Sequence, residues 1–187
     1  MQPYYIHTAN ADTTKYPSEQ HAHNTEAKQV KYLGLHLDTE FTWKQHTKAI
    51  ISKIQTTRRQ MHWLTSWKSK LSIENKLKIY KTIIKPIWTY GIPLRGTAAM
   101  SHINKIETMQ AKILRTIVNV PWYVRNEDIR RDLGIPTVKE AISSYAERYK
   151  ARIGTHPNPL AAETINTLNM ERRLKRKHPA ELTKDIT

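Results

Sequence analysis

Between Thr42 and Val120 the apolar residues return three times at the spacing of one helix face, and that repetition commits the chain to a helical bundle. Ile50, Ile54, Met61 and Leu64 share a face of a first helix expected over 44–64. In a second helix, capped by Ser72 with Asn75 near its start, Ile73, Leu77, Tyr80, Ile84 and Ile87 form the inward stripe. Pro86 lacks a backbone donor and should kink or shorten that helix, and Gly91-Ile92-Pro93 ends it. Ser101 is the expected cap of a third helix carrying Ile103, Ile106, Ile113, Leu114, Ile117 and Val120, closed by Pro121.

Three further helices are expected downstream. A short one over Asn126–Leu133 stops at Gly134-Ile135-Pro136. Thr137 caps another near 138–153, with Val138, Ala141, Ile142, Tyr145 and Tyr149 inward. After the turn residues of 155–159, a last helix runs from Leu160 to about Lys177. The only period of two lies where Leu33, Leu35 and Leu37 alternate with Tyr32, Gly34 and His36, which fits a short half-buried strand or hairpin arm. Residues 1–29 are polar, show neither period and read as a disordered tail. The fold class is mainly α, a helical bundle with a short hairpin near residue 32, divided at 1–29, 30–41, 42–120 and 121–187.

Charge narrows the partner. The chain carries 31 Lys and Arg against 16 Asp and Glu, a formal +15, and residues 42–120 hold 15 of the bases with only two acids, Glu74 and Glu107. Lys44, Lys48 and Arg59 share one face of the first helix; Lys78, Lys81 and Lys85 flank the stripe of the second; Lys105, Lys112 and Arg115 flank that of the third. One such stripe is ordinary solvated surface. Three with almost no interspersed acid repel one another unless a polyanion compensates them. Lys outnumbers Arg there, which suits phosphate contacts rather than the reading of base edges. Trp43, Trp63, Trp67 and Trp88 interleave with these charges; each is expected to pack, with stacking on a base or sugar as the alternative.

Several chemistries find no support. With no Cys there is no thiolate zinc site or cysteine catalysis. The five Asp (Asp12, Asp38, Asp128, Asp132 and Asp185) are nowhere adjacent, whereas two-metal phosphoryl transfer needs clustered carboxylates. Asp128 and Asp132 have Arg130 and Arg131 as simpler salt-bridge partners, and His7, His21 and His23 are expected to be solvated rather than metal-bound. The five Gly are too sparse for a phosphate-binding loop. No apolar run approaches the roughly 20 residues that span a bilayer, and no signal peptide is evident, so an intracellular location is expected. Arg172–Lys177 is a candidate nuclear import signal or nucleic-acid arm.

Several segments, in order, go beyond composition. Tyr32-Leu33-Gly34-Leu35-His36-Leu37-Asp38 with Phe41-Thr42-Trp43-Lys44-Gln45-His46 resembles the junction after the palm in jockey-like non-LTR retrotransposon reverse transcriptases. Lys76–Lys81 running into Lys85-Pro86-Ile87-Trp88-Thr89-Tyr90-Gly91 is similar to the same family's downstream helix. Met109-Gln110, Leu114-Arg115-Thr116-Ile117, Pro121-Trp122-Tyr123-Val124-Arg125-Asn126, Asp132–Val138 and His156–Ala161 continue the likeness over about residues 30–165. The resemblance implies that Tyr32, Leu33 and Gly34 form a primer grip. It implies that the helices of 42–120 form a thumb holding the template–primer duplex, with 121–187 as a C-terminal extension. The family's Tyr-x-Asp-Asp motif is missing upstream, so the chain alone is expected to be inactive, and Mg²⁺ would belong to the missing palm. Where relatives tend to carry an aromatic between Leu94 and Gly96, this chain has Arg95, a change with no functional reading in the sequence.

The expected partners are an RNA–DNA or DNA duplex and the missing palm or another polymerase component, with no membrane and no small-molecule substrate. The alternatives are a non-functional relic of a transposon reading frame, a protein-docking helical module and, more distantly, a basic membrane-surface helix.

Overall fold

A computed structural model describes residues 27–163 and 179–182. The disordered tail expected over 1–29, the end of the helix expected to reach Lys177, the Arg172–Lys177 run and His7, His21 and His23 fall wholly or mostly outside the described residues.

The hairpin comes first. β1 (Gln29–Tyr32) pairs antiparallel with β2 (Leu35–Asp38), in a register that sets Tyr32 opposite Leu35 and Gln29 opposite Asp38. Its two-residue turn is Leu33-Gly34, both at positive φ, 45° and 78°, the backbone that matches the twist of a tight hairpin. Leu33 therefore belongs to the turn and is exposed, contrary to its expected place on the inward face. Leu35 alone of β2 is fully buried, against Trp43 and Ala98 in a small cluster that also takes Leu37.

The helices follow the apolar stripes. α1 (Lys44–Gln60) stops at Met61, whose backbone breaks the helix expected to reach residue 64, and α2 (His62–Thr65) is a separate turn. α3 (Ile73–Ile79) begins at Ser72, whose hydroxyl accepts from the Asn75 N–H. Ile73 itself is exposed. The helical path then widens into a π turn (Tyr80–Ile84), in which the Lys85 N–H reaches back five residues to the Tyr80 carbonyl, and resumes as α4 (Lys85–Thr89). The widening lies just ahead of Pro86, which has no N–H to give and a ring that crowds the preceding turn. So the path continues past the proline.

α5 (Ile92–Arg95) is a single turn entered through Gly91 at φ 63°. α6 (Met100–Val118) starts at Ala99 without a side-chain cap; Ser101 lies inside its first turn and does not act as the expected cap. It ends at Asn119 in the left-handed conformation. α7 (Asn126–Leu133) closes at Gly134, φ 59°, and α8 (Val138–Gly154) opens with a reciprocal capping box between Thr137 and Glu140. α9 (Pro159–Glu163) and a 3₁₀ turn (Pro179–Glu181) complete the described elements.

α6 packs against α1, α3, α7 and α8. Ile50, Ile54, Tyr80, Ile84, Trp88, Ile106, Leu114 and Ile117 form one apolar cluster with Ile129, Ile135, Val138 and Ile142, so a single core crosses the 120/121 boundary. At its centre the buried amide of Gln110 donates to the Tyr80 hydroxyl at 3.0 Å and to the Pro136 carbonyl at 3.1 Å.

Gly91 and Gly134 share a left-handed backbone but not their surroundings. A Cβ on Gly91 would lie 2.7 Å from Leu35 Cδ2, whereas one on Gly134 meets nothing within 4 Å. Gly134→Ala should therefore cost the backbone strain alone, about 1 kcal/mol. Gly91→Ala adds overpacking and should cost roughly 2–4 kcal/mol. Urea midpoints compare the two, and equal losses would contradict the described contact.

Candidate nucleic-acid interface

Burial of one stripe per helix fixes where the cations go. With Ile50 and Ile54 inward, Lys44, Lys48 and Arg59 are left exposed along α1. With Tyr80, Ile84 and Trp88 inward, Lys78 and Lys81 stay exposed and Lys85 half-buried. Lys105 and Lys112 stand on α6 away from Ile106 and Ile113. None of these eight side chains forms an ion pair among the described residues. The fold joins the three helices through their apolar sides and leaves each cationic strip outward on its own helix.

The acids that might have neutralised this surface are placed elsewhere. Glu107 pairs with Arg130 at 2.7 Å and accepts from the Val138 N–H at 2.7 Å, so its charge is drawn towards α7 and the start of α8. Glu74 sits in the first turn of α3, where a carboxylate complements the helix dipole.

Three of the basic residues of 42–120 are committed inside the fold. Lys76 is buried and donates to the Ser69 carbonyl at 3.4 Å. Arg95 is buried, donates to the Trp88 carbonyl and leaves its Nε without a partner. Burial pushes its pKa down to about 10, still cationic at neutral pH. Arg115, expected on the phosphate-facing strip, departs from that place. Its guanidinium donates to Asn126 Oδ1 at 2.9 Å, to the Pro121 carbonyl at 2.9 Å and to the Val124 carbonyl. These bonds pin the loop after α6.

The hairpin turn meets the bundle through Tyr90, whose hydroxyl donates to the Leu33 carbonyl at 2.5 Å. A Cβ on Gly34 would lie 3.6 Å from Tyr90, an ordinary contact, so it is the φ of 78° and not a shortage of space that favours glycine there. Tyr32 and Leu33 are exposed beside it. Between hairpin, α1 and α4 runs a groove lined by Lys31, Gly34, His36, His46, Lys53 and Tyr90, with Pro86 and Ile87 at its wall. Lys31, Lys53, His46 and Tyr90 are not among the candidate site residues expected from sequence, although His46 and Tyr90 fall in segments that carry the resemblance. Lys53 lies off the Lys44–Lys48 strip, and only the docking of the hairpin brings it near Gly34.

His46 is the most perturbed group there. Its Nδ1 accepts from the His36 N–H at 3.4 Å and its Nε2 has no partner. Its pKa falls from 6.5 to about 4, chiefly because burial disfavours the charged ring, then through the electrostatic influence of Arg95 and of the neighbouring His36.

Two of the interleaved indoles pack as expected: Trp43, whose Nε1 donates to Thr97 Oγ1 at 3.1 Å, and Trp88 in the core. Trp63 and Trp67 do not: both are exposed, Trp63 within α2 and Trp67 just after it. Asp128 is held by Arg131 at 2.7 Å and Asp38 caps the turn at Thr42, while Arg130 has gone to Glu107. No group of three His, Asp or Glu among the described residues is arranged to hold a metal ion.

Comparison with known proteins agrees with the resemblance. No family model and no solved structure matches the chain. It is 41% identical over 160 residues, 81% of its length, to the RNA-directed DNA polymerase from mobile element jockey of Drosophila melanogaster. This chain is homologous to a segment of jockey-like retrotransposon RNA-directed DNA polymerases. The jockey polymerase of Drosophila funebris shares 40% identity over 82% of this chain. The probable polymerase from transposon X-element of D. melanogaster shares 40% over a similar span. The matched region is 17–18% of these jockey-like polymerases.

The histidine gives a pH test. The unfolded chain takes up a proton near pH 6.5, whereas the folded ring resists it down to about 4. Protons therefore favour unfolding between these values. Stability should be full above pH 6.5 and fall as pH drops towards 4, with a slope approaching 1.4 kcal/mol per pH unit. Denaturation midpoints across that window should show the slope, and His46→Gln should flatten it; an unchanged slope in the variant would contradict this assignment.

Proposed function

We propose that this segment is the duplex grip of a jockey-like polymerase. In this reading Lys44, Lys48, Arg59, Lys78, Lys81, Lys85, Lys105 and Lys112 hold template–primer phosphates, and Tyr32, Leu33 and Gly34 steady the primer end. The carboxylates and Mg²⁺ of polymerisation would come from elsewhere in such an enzyme. One observation carries the proposal: three core-sharing helices expose cationic strips whose nearest acids are drawn off to Arg130 and to a helix start. Phosphate contacts made by lysine carry little sequence information, so the grip should accept any duplex sequence.

A second reading has its own support. Arg115 spends three hydrogen bonds on the 121–126 loop, yet that loop buries neither Trp122 nor Tyr123, which are 87% and 70% exposed with their rings edge to face. A loop fixed in place to display two aromatics is also a means of docking on another part of the polymerase. Trp122→Ala with Tyr123→Ala should then weaken association with a polymerase core supplied in trans by tenfold or more and leave duplex affinity unaltered. The reverse pattern would overturn the docking reading.

Binding to a labelled RNA–DNA duplex across a salt series tests the grip, with Lys44, Lys48, Lys78, Lys81, Lys105 and Lys112 changed to Gln for comparison. Six phosphate contacts give a slope of log K against log salt of roughly −4 to −5, which the variant should largely lose. A folded chain that ignores the duplex at low salt, or a variant with the parent slope, would overturn the proposal.

A further inference from the structure

The connection from α1 to α3 inverts the usual placement of side chains. Thr65, Ser66 and Lys76 are buried, while Trp63 and Trp67 are 71% and 61% exposed. The backbone that displays the indoles is well tied. The Ser66 N–H donates to the His62 carbonyl at 2.9 Å, the Ser69 N–H to the Ser66 carbonyl at 3.1 Å and the Leu71 N–H to Ser69 Oγ at 3.2 Å. Thr65 Oγ1 donates to the Met61 carbonyl at 3.1 Å, and the buried Lys76 ammonium reaches the Ser69 carbonyl at 3.4 Å. Polar groups hold the turn from inside, and large aromatic surface is left in water, where it gains nothing unless something covers it.

The charge around the two indoles selects what covers them. No acid occurs between Glu40 and Glu74, whereas Arg59, Lys68 and Lys70 are exposed close by in sequence. The Lys68 ammonium lies 5.6 Å from the Trp67 ring centre, and the indole remains 61% exposed. An apolar partner protein would bury these cations at a cost, whereas a strand of nucleic acid supplies a π-face for each indole and a phosphate for each cation.

We propose that this turn is a platform for unpaired nucleotides, with Trp63 and Trp67 each stacking on a base and Lys68 and Lys70 holding the flanking phosphates. The ligand class rests on the nucleic-acid reading above, but the platform needs single strand, since bases inside a duplex offer no free face. In the setting of a polymerase such a strand would be template beyond the paired region. Stacking is indifferent to base identity and to salt, so its signature differs from that of the lysine strips.

The experiment measures affinity for a single-stranded 12-mer and for a blunt RNA–DNA duplex, across salt, for the parent, Trp63→Ala with Trp67→Ala, and Trp63→Phe with Trp67→Phe. Each lost stack should weaken single-strand binding on the order of tenfold, with the salt slope unchanged and the duplex affinity within about twofold of the parent. The Phe pair, which keeps a stacking face and the fold, should recover most of the loss. Unchanged single-strand affinity in the Ala pair would overturn the platform, leaving the indoles to a protein partner and the duplex grip standing. Equal losses on duplex and single strand, or no rescue by Phe, would also overturn it. A parent that binds single strand but not duplex would support the platform and sink the grip.

Discussion

The buried amide of Gln110 ties α6 to two neighbouring parts of the fold. Its two N–H groups have two acceptors, the Tyr80 hydroxyl from the π turn and the Pro136 carbonyl from the link between α7 and α8. An amide N–H left unpaired in an apolar interior is costly, so these two bonds resist sliding of either neighbour along α6, although Gln110 Oε1 itself finds no partner. The apolar cluster supplies most of the attraction, but a cluster of Ile and Leu can repack in several ways. The directional pair at its centre specifies one. α1, α3, α7 and α8 pack against α6, and the cationic strips occupy the sides of α1, α3 and α6 that this packing leaves exposed.

Local chemistry was legible in the sequence wherever one residue decides the outcome. Ser72 and Thr137 cap their helices because each hydroxyl meets an N–H three residues ahead. Gly134 ends α7 because the left-handed conformation there is nearly free for glycine. What the pattern could not show was how the backbone absorbs a conflict. Pro86 announces a missing donor, but the remedy, a wider turn over Tyr80–Ile84, depends on packing against α1 and α6. The break at Met61 likewise has no breaker residue to mark it. Ser101 illustrates a smaller limit: the helix starts at Met100, one residue before the better capping side chain.

The interface was legible as charge and less so as geometry. Counting acids and bases placed the excess on the first three helices, and the helical period put Lys105 and Lys112 on one outward side. The same period put Arg115 beside them, because periodicity ends with the helix. Only the return of the chain at Asn119 brings the carbonyls of Pro121 and Val124 within its reach. Arg95 was visible as a departure from the jockey-like pattern, yet its burial against the Trp88 carbonyl follows from the short turn α5. The groove of Lys31, His46, Lys53 and Tyr90 is wholly tertiary: it exists only where the hairpin meets α1 and α4.

The central claim is that lysines of α1, of α3 and the π turn after it, and of α6 meet the phosphates of a duplex while those of α8 do not. Acetylation of lysine side chains, with and without a saturating RNA–DNA duplex and read by mass spectrometry, tests this residue by residue. Lys44, Lys48, Lys78, Lys81, Lys105 and Lys112 should lose most of their reactivity, and the exposed Lys139 and Lys150 of α8 should keep theirs. Protection spread evenly over all eight, or concentrated on Lys139 and Lys150, would contradict the account.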